Sequence, residues 1–102
     1  MAEVFICKTS DLAPGSVMRV EHGDGGLAVY NVEGSFYVSD DRCTHGLSNL
    51  SEGSLLGHEI ECSMHFGTFD VKTGQPTGAP CSIPLKTYKV EVRGDEVYAE
   101  VG

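Results

Sequence analysis

Two short stretches decide the fold of this chain: Cys43-Thr44-His45 and Cys62-Ser63-Met64-His65. Sixteen residues separate His45 from Cys62, so the full pattern is C-x-H-x16-C-x2-H. Each stretch supplies one thiolate and one imidazole, and both groups bind metals when they are deprotonated. The pattern therefore predicts a metal centre whose ligands are Cys43, His45, Cys62 and His65.

Two kinds of metal centre use two cysteines and two histidines. In a Rieske [2Fe–2S] cluster, the cysteines bind one iron and the histidines bind the other. In a structural zinc site, the same groups surround a single tetrahedral ion, and two cysteines usually stand together. Here each stretch carries one cysteine and one histidine, and a single residue separates Cys43 from His45. This spacing favours one [2Fe–2S] cluster per chain, with Cys43 and Cys62 on one iron and His45 and His65 on the other. A zinc site is the alternative.

The remainder of the chain is typical of a small β protein. Its 102 residues are the size of one domain, and 40% of them are apolar. Short β-type runs alternate with glycine-rich turns, and no amphipathic helical stretch of useful length occurs. We predict an all-β fold, an antiparallel β-sandwich or small barrel, with a Rieske cluster-binding subdomain inserted. A single domain would span residues 1–102, with the cluster-binding part at about 42–84.

The β-type runs give a set of expected strands. One helical turn is expected at 10–12, before Pro14-Gly15, and Glu33-Gly34 is a hairpin signal. The expected strands are 4–7, 17–20, 27–32, 35–39, 59–61, 68–71, 87–92 and 97–101.

The charge and the termini limit the classes of partner. There are 15 acidic and 7 basic residues, for a formal net charge of -8, whereas nucleic-acid binding needs a basic surface. No apolar run approaches the roughly twenty residues of a membrane span. The N-terminal residues 1–7 lack the features of a signal peptide, and cysteines at metal-ligand spacing indicate a reducing compartment. We therefore expect a soluble cytoplasmic protein with no nucleic-acid or membrane partner.

The chain as a whole resembles the Rieske-type ferredoxins, the ferredoxin components of bacterial aromatic-ring-hydroxylating dioxygenase systems. The resembling segments are Asp41 to Gly46, Leu50 to Gly53, Gly57 to Glu61, and Pro84 to Tyr88. The resemblance implies an electron carrier with no substrate chemistry of its own. It implies a flavin-containing, NAD(P)H-dependent ferredoxin reductase as the electron donor and a terminal aromatic-ring oxygenase as the acceptor. It also implies a third loop, at residues 78–81, that covers the cluster.

Two other function classes stay open beside the electron carrier. One is a small Rieske subunit of a nitrite reductase-like complex, although many such subunits lack the ligands that this chain has. The other is a zinc-stabilised interaction module, which would be colourless.

Two departures from the respiratory-chain Rieske proteins bear on the reduction potential. Those proteins link their cluster loops by a disulfide, and Ser48 and Met64 stand at those positions here. They also place a serine and a tyrosine hydroxyl on the cluster sulfurs, at the positions of Gly67 and Phe69. Because fewer hydrogen bonds to sulfur stabilise the reduced cluster less, we predict a midpoint potential on the order of -150 mV.

The remaining polar and thiol side chains are weaker candidates. Cys7 and Cys81 lack ligand spacing and are expected to be buried thiols, and Cys81 could line the cluster pocket without binding iron. His22 and His58 lie in turn-rich segments and are expected at the surface. A solvated face is expected, with partner docking as the alternative, for the acidic residues beside the ligand stretches: Asp40, Asp41, Glu52, Glu59 and Glu61.

Overall fold

The secondary structure is almost entirely β. The computed structural model describes residues 2–23, 25–44, 48–63, 67–79, 81 and 83–101, and in them eleven strands and two 3-10 turns are present. The strands are β1 (Ala2–Lys8), β2 (Ser16–Val20), β3 (Leu27–Val32), β4 (Ser35–Asp40), β5 (Ser54–Leu56), β6 (Glu59–Glu61), β7 (Thr68–Asp70), β8 (Pro76–Gly78), β9 (Thr87–Tyr88), β10 (Val90–Arg93) and β11 (Glu96–Val101). The 3-10 turns are Thr9–Asp11 and Leu50–Glu52.

In the described parts of the chain, the strands form three sheets with the orders β1-β11-β10, β2-β3-β4-β9 and β5-β6-β7-β8. Every strand pair in them is antiparallel. The predicted all-β, antiparallel fold class is therefore confirmed. Across the same residues, no helix is long and apolar enough to cross a membrane.

The central strand β3 separates two apolar cores. All six of its residues are buried. Leu27 and Val29 pack into one core, which includes residues of β1, β4 and β11, whereas Ala28 and Tyr30 pack into the other. Because successive side chains of a strand point to opposite faces, a strand buried on both faces is apolar without alternation. The second core also contains Cys43 and Cys62, so residues of β3 pack in the same core as the predicted cysteine ligands.

The hairpin predicted at Glu33-Gly34 is present between β3 and β4. Glu33 and Gly34 both have positive φ, 52° and 93°, and Val32 pairs with Ser35 across the turn. Two left-handed residues in succession match the twist of the flanking strands, and glycine adopts this conformation at little cost.

The expected strand at 87–92 is divided in two. β9 pairs with β4, where Tyr88 lies opposite Val38, whereas β10 pairs with β11, where Val92 lies opposite Val97. The chain therefore passes from one sheet to the other at Lys89. Strands β5 and β8 were not predicted: β5 (Ser54–Leu56) has no β-branched or aromatic residue, and β8 contains both Pro76 and Gly78, which are depleted in strands.

Candidate metal centre

The two predicted cysteine ligands are buried at the ends of strands. Cys43 follows β4 and Cys62 directly follows β6, and each is 1% exposed. Each of their loops is closed by a backbone hydrogen bond: the Cys43 N–H donates to the Ser48 carbonyl at 2.9 Å, and the Cys62 N–H donates to the Gly67 carbonyl at 2.8 Å. Both thiols belong to the same apolar core, so the fold brings the two cysteine-bearing loops together.

The two predicted histidine ligands, His45 and His65, lie outside the described residues, as does Pro80 of the third loop. In the described ranges, no three histidine, cysteine or acidic side chains are grouped so that they could hold a metal ion. The assignment of four ligands therefore stays a prediction.

A third thiol lies beside the two cysteines. Cys81 is 7% exposed and belongs to the same apolar core as Cys43 and Cys62. Burial, with further contributions from its hydrogen bond to Cys43 and the charges of Cys43 and Cys62, raises the pKa of Cys81 to about 12. Cys81 therefore stays a neutral thiol and lines this pocket, as the sequence suggested. Cys7 is buried in the other core, and none of the four cysteines is in a disulfide.

Ser48 connects the two cysteine ligands. Its carbonyl oxygen accepts the hydrogen bond from Cys43 N–H, and its hydroxyl oxygen lies 2.9 Å from the Cys62 sulfur. The sequence pointed to Ser48 only as a position where a disulfide is impossible. Its contact with Cys62 joins residues 14 positions apart, so no local pattern could have predicted it.

The expectation of a solvated side chain was wrong for Asp41, which is fully buried. One of its carboxylate oxygens accepts a hydrogen bond from Arg19 Nη1 at 2.7 Å and one from the Ser51 hydroxyl at 2.9 Å. The other oxygen accepts the Ser51 N–H at 2.7 Å. A buried carboxylate is tolerated where a cation and several donors replace water, and Arg19 and Ser51 supply them.

The other acidic residues and the remaining histidines lie as expected at or near the surface. Glu52 is exposed, and Asp40, Glu59 and Glu61 are half-buried. His22 and His58 are exposed.

The described residues fit an iron–sulfur cluster. Iron–sulfur clusters are held by cysteine thiolates, and the buried cysteines Cys43 and Cys62, on two loops that meet in one core, are candidates for this role. Ser48 and Cys81 place a hydroxyl and a thiol against these sulfurs, where each can donate a hydrogen bond. Among the side chains that are described, no buried nitrogen or oxygen lacks a hydrogen-bond partner.

Comparison with known proteins agrees with this chemistry. The family model described as "Rieske [2Fe-2S] domain" matches residues 2–89. The ferredoxin component of the p-cumate 2,3-dioxygenase system of Pseudomonas putida is 46% identical over 101 residues, which are 97% of this chain and 86% of that protein. Ferredoxin CarAc of Metapseudomonas resinovorans is 49% identical over 94 residues, 91% of this chain and 88% of that protein.

A solved structure is similar along nearly its whole length. It is a chain from the complex of reduced oxygenase and oxidized ferredoxin in carbazole 1,9a-dioxygenase, with a TM-score of 0.91 and 47% identity. The match covers 95% of this chain and 91% of that one. The names of the relatives describe electron-carrier components rather than catalytic subunits.

Proposed function

This chain belongs to the Rieske [2Fe–2S] domain family, and from that premise we propose that it carries single electrons to a terminal aromatic-ring oxygenase. The resemblance to Rieske-type ferredoxins is confirmed over most of the chain. The donor would be a flavin-containing, NAD(P)H-dependent ferredoxin reductase. The observation that carries the proposal is the burial of Cys43 and Cys62 in the same core, within the span that the family model matches.

The proposed ligands are Cys43 and Cys62 on one iron and His45 and His65 on the other, with one cluster per chain. When bound, such a cluster supplies one-electron chemistry and no bond-making step. The protein residues hold the thiolates in a dry pocket and place hydrogen-bond donors beside them. Support comes from the loop closures at Cys43 and Cys62 and from the spacing of the two histidines.

The proposed organisation is a single domain over residues 1–102 with its cluster-binding part at about 42–84. The β5-β6-β7-β8 sheet lies within that part, and Cys43, Cys62 and Cys81 lie in segments outside its strands. The other two sheets would serve as the framework.

Net charge and thiol chemistry support the proposed partners and location. A formal charge of -8 favours encounter with basic surfaces of protein partners and disfavours nucleic acid. Four cysteines without a disulfide suit a reducing cytoplasm, where we place the protein with no membrane partner. The solved complex of an oxygenase with a ferredoxin supports the same kind of docking here.

The deciding experiment is low-temperature EPR of the dithionite-reduced protein, prepared without oxygen, together with iron and zinc analysis. We expect a rhombic signal whose average g is below that of all-cysteine clusters, and about two irons per chain. An EPR-silent protein with one zinc per chain would establish the zinc alternative instead.

A redox titration and a reconstituted electron-transfer assay test the role. We predict a midpoint potential on the order of -150 mV, and a value above zero would contradict that prediction. With a flavoprotein reductase, NAD(P)H and a ring-hydroxylating oxygenase, substrate turnover should depend on this protein. A loaded protein that is reduced by dithionite but supports turnover with none of the oxygenases related to the p-cumate and carbazole systems would argue against the proposed acceptor.

A further inference from the structure

We propose that Ser48 is a positioning residue that raises the reduction potential of the metal centre by donating a hydrogen bond from its hydroxyl to the sulfur of Cys62. This inference rests on the proposed function, because it assumes that Cys62 ligates the cluster. It assigns a specific role to a side chain that the ligand pattern does not include.

The contact between Ser48 and Cys62 is close and protected from water. Ser48 Oγ lies 2.9 Å from Cys62 Sγ, and the two residues are 7% and 1% exposed. In such a site of low dielectric constant, a hydrogen bond is stronger electrostatically than it would be in water.

The chemistry of the ligand fixes the direction of this hydrogen bond. A cysteine that binds iron is a thiolate and has no proton, so its sulfur can only accept. Ser48 must then be the donor. Reduction adds negative charge to the cluster and its sulfur ligands, which strengthens a hydrogen bond donated to them. The reduced state therefore gains more from Ser48 than the oxidised state does, and the potential rises.

The backbone of Ser48 holds its hydroxyl in place. The Ser48 carbonyl accepts the hydrogen bond from Cys43 N–H at 2.9 Å, so one residue is anchored to the first ligand and donates to the second. The donor is thereby kept at a fixed position relative to both loops. A second hydroxyl of this kind is not expected at Gly67 or Phe69, which have none to offer.

The test compares the midpoint potentials of the cluster-loaded wild type and of Ser48→Ala. Removing the hydroxyl should lower the equilibrium constant for reduction about tenfold, which for a one-electron couple is a fall of about 59 mV. Ser48→Thr keeps a hydroxyl and should restore most of the potential. Ser63→Ala is the matched control, because Ser63 follows Cys62 directly but is exposed, and its potential should stay that of the wild type.

The spectrum gives a second readout that a purely structural role would not change. The Fe–S(Cys) stretching bands in the resonance Raman spectrum should shift in Ser48→Ala and stay nearly unchanged in Ser63→Ala. A loaded Ser48→Ala protein with the wild-type potential and bands would overturn the inference. If Ser48→Ala does not retain iron, Ser48→Cys is measured instead, because a thiol is a weaker hydrogen-bond donor than a hydroxyl. A midpoint potential of Ser48→Cys below those of the wild type and Ser48→Thr would then support the inference. Equal potentials for the three proteins would overturn it.

The inference and the proposed function can fail separately. A wild-type protein that shows no Rieske EPR signal overturns the proposed function itself. If the wild type shows that signal and Ser48→Ala has the same potential and Raman bands as the wild type, only the role of Ser48 is overturned.

Discussion

The carboxylate of Asp41 is paired with the guanidinium of Arg19 at 2.7 Å, and the two side chains differ sharply in exposure: 0% for Asp41 and 30% for Arg19. Arg19 lies on β2, and Asp41 lies two residues before Cys43. Hydrogen bonds to Glu21 and Asp41 raise the pKa of Arg19, so it is always charged. The pair therefore ties the first cluster loop to the β2-β3-β4-β9 sheet.

Asp41→Ala should destabilise the protein strongly. Removing the buried carboxylate costs about 1–3 kcal/mol, because the Ser51 N–H and hydroxyl and the partly exposed Arg19 lose their acceptor. In a domain of this size, each kcal/mol lowers the thermal unfolding midpoint by about 4–8 °C. Glu21→Ala is the matched control: Glu21 also contacts Arg19, at 2.6 Å, but its side chain is 81% exposed, so its removal should change the midpoint little. Equal midpoints for the two variants would show that the buried pair adds no stability.

Gly53→Ala should disturb the second cysteine loop. A Cβ at Gly53 would overlap the carbonyl oxygen of Glu61, the residue before Cys62. Because that neighbour is backbone, the segment at Gly53 and strand β6 must separate, and we expect a loss of about 1–3 kcal/mol and a lower iron content. Gly25→Ala is the control, since a Cβ there meets nothing within 4 Å. Iron content and thermal midpoint measure both effects, and an unchanged Gly53→Ala protein would contradict the close approach of these segments.

A series of alanine substitutions should separate the ligand cysteines from the other two. Cys43→Ala and Cys62→Ala should purify without the two irons, because each would remove one of the proposed thiolate ligands. Cys7→Ala and Cys81→Ala should retain them, since neither cysteine is assigned as a ligand. Iron and acid-labile sulfide per chain are the measurements. If Cys62→Ala kept both irons and Cys81→Ala lost them, Cys81 would be the ligand in place of Cys62.

Stability should fall in alkaline solution, partly because of Tyr88. Burial, with the hydrogen bond that its phenol donates to Asp40, raises the pKa of Tyr88 to about 12. An unfolded tyrosine has a pKa of about 10, so from about pH 10 to 12 the unfolded chain releases this proton first. The stability that Tyr88 adds is therefore complete below about pH 10 and is lost as the pH rises toward 12.

Tyr88→Phe tests this contribution. The variant should be less stable than the wild type at neutral pH, by about 1 kcal/mol for the lost hydrogen bond. Its thermal midpoint should fall less steeply between pH 9 and 11.5 than that of the wild type. Some slope should remain, because burial also raises the pKa of Tyr30. Parallel curves for the two proteins would show that Tyr88 does not ionise differently in the folded and unfolded states.

Local patterns in the sequence predicted the elements that local physics determines. The strand at 59–61, the hairpin at Glu33-Gly34 and the helical turn near Ser10 depend on neighbours in the chain, and all three are present. The pattern also required the stretches with Cys43 and Cys62 to be neighbours, and the two cysteines do lie in one core.

Contacts between distant residues were beyond prediction. The acidic run Asp40-Asp41 looked like solvated surface, yet the partner of Asp41 is an arginine 22 positions earlier. The division between β9 and β10 has a similar origin. Residues 87–92 have the same alternating pattern on both sides of Lys89. Only the strands available for pairing, β4 and β11, decide where the chain changes sheets.

The pairing of β1 with β11 has a consequence for the order in which the protein folds during synthesis. Strands β5, β6, β7 and β8 form three consecutive pairs, β5–β6, β6–β7 and β7–β8, so their hairpins close over short loops. In the part of the chain that the structure describes, the partner of β1 is β11, about ninety residues later, so its loop closure costs more entropy. During synthesis β1 emerges first and cannot pair until β11 has emerged, whereas the β5-β6-β7-β8 sheet needs no residue beyond Gly78. We expect this sheet, next to the cysteine loops, to form before β1 pairs with β11.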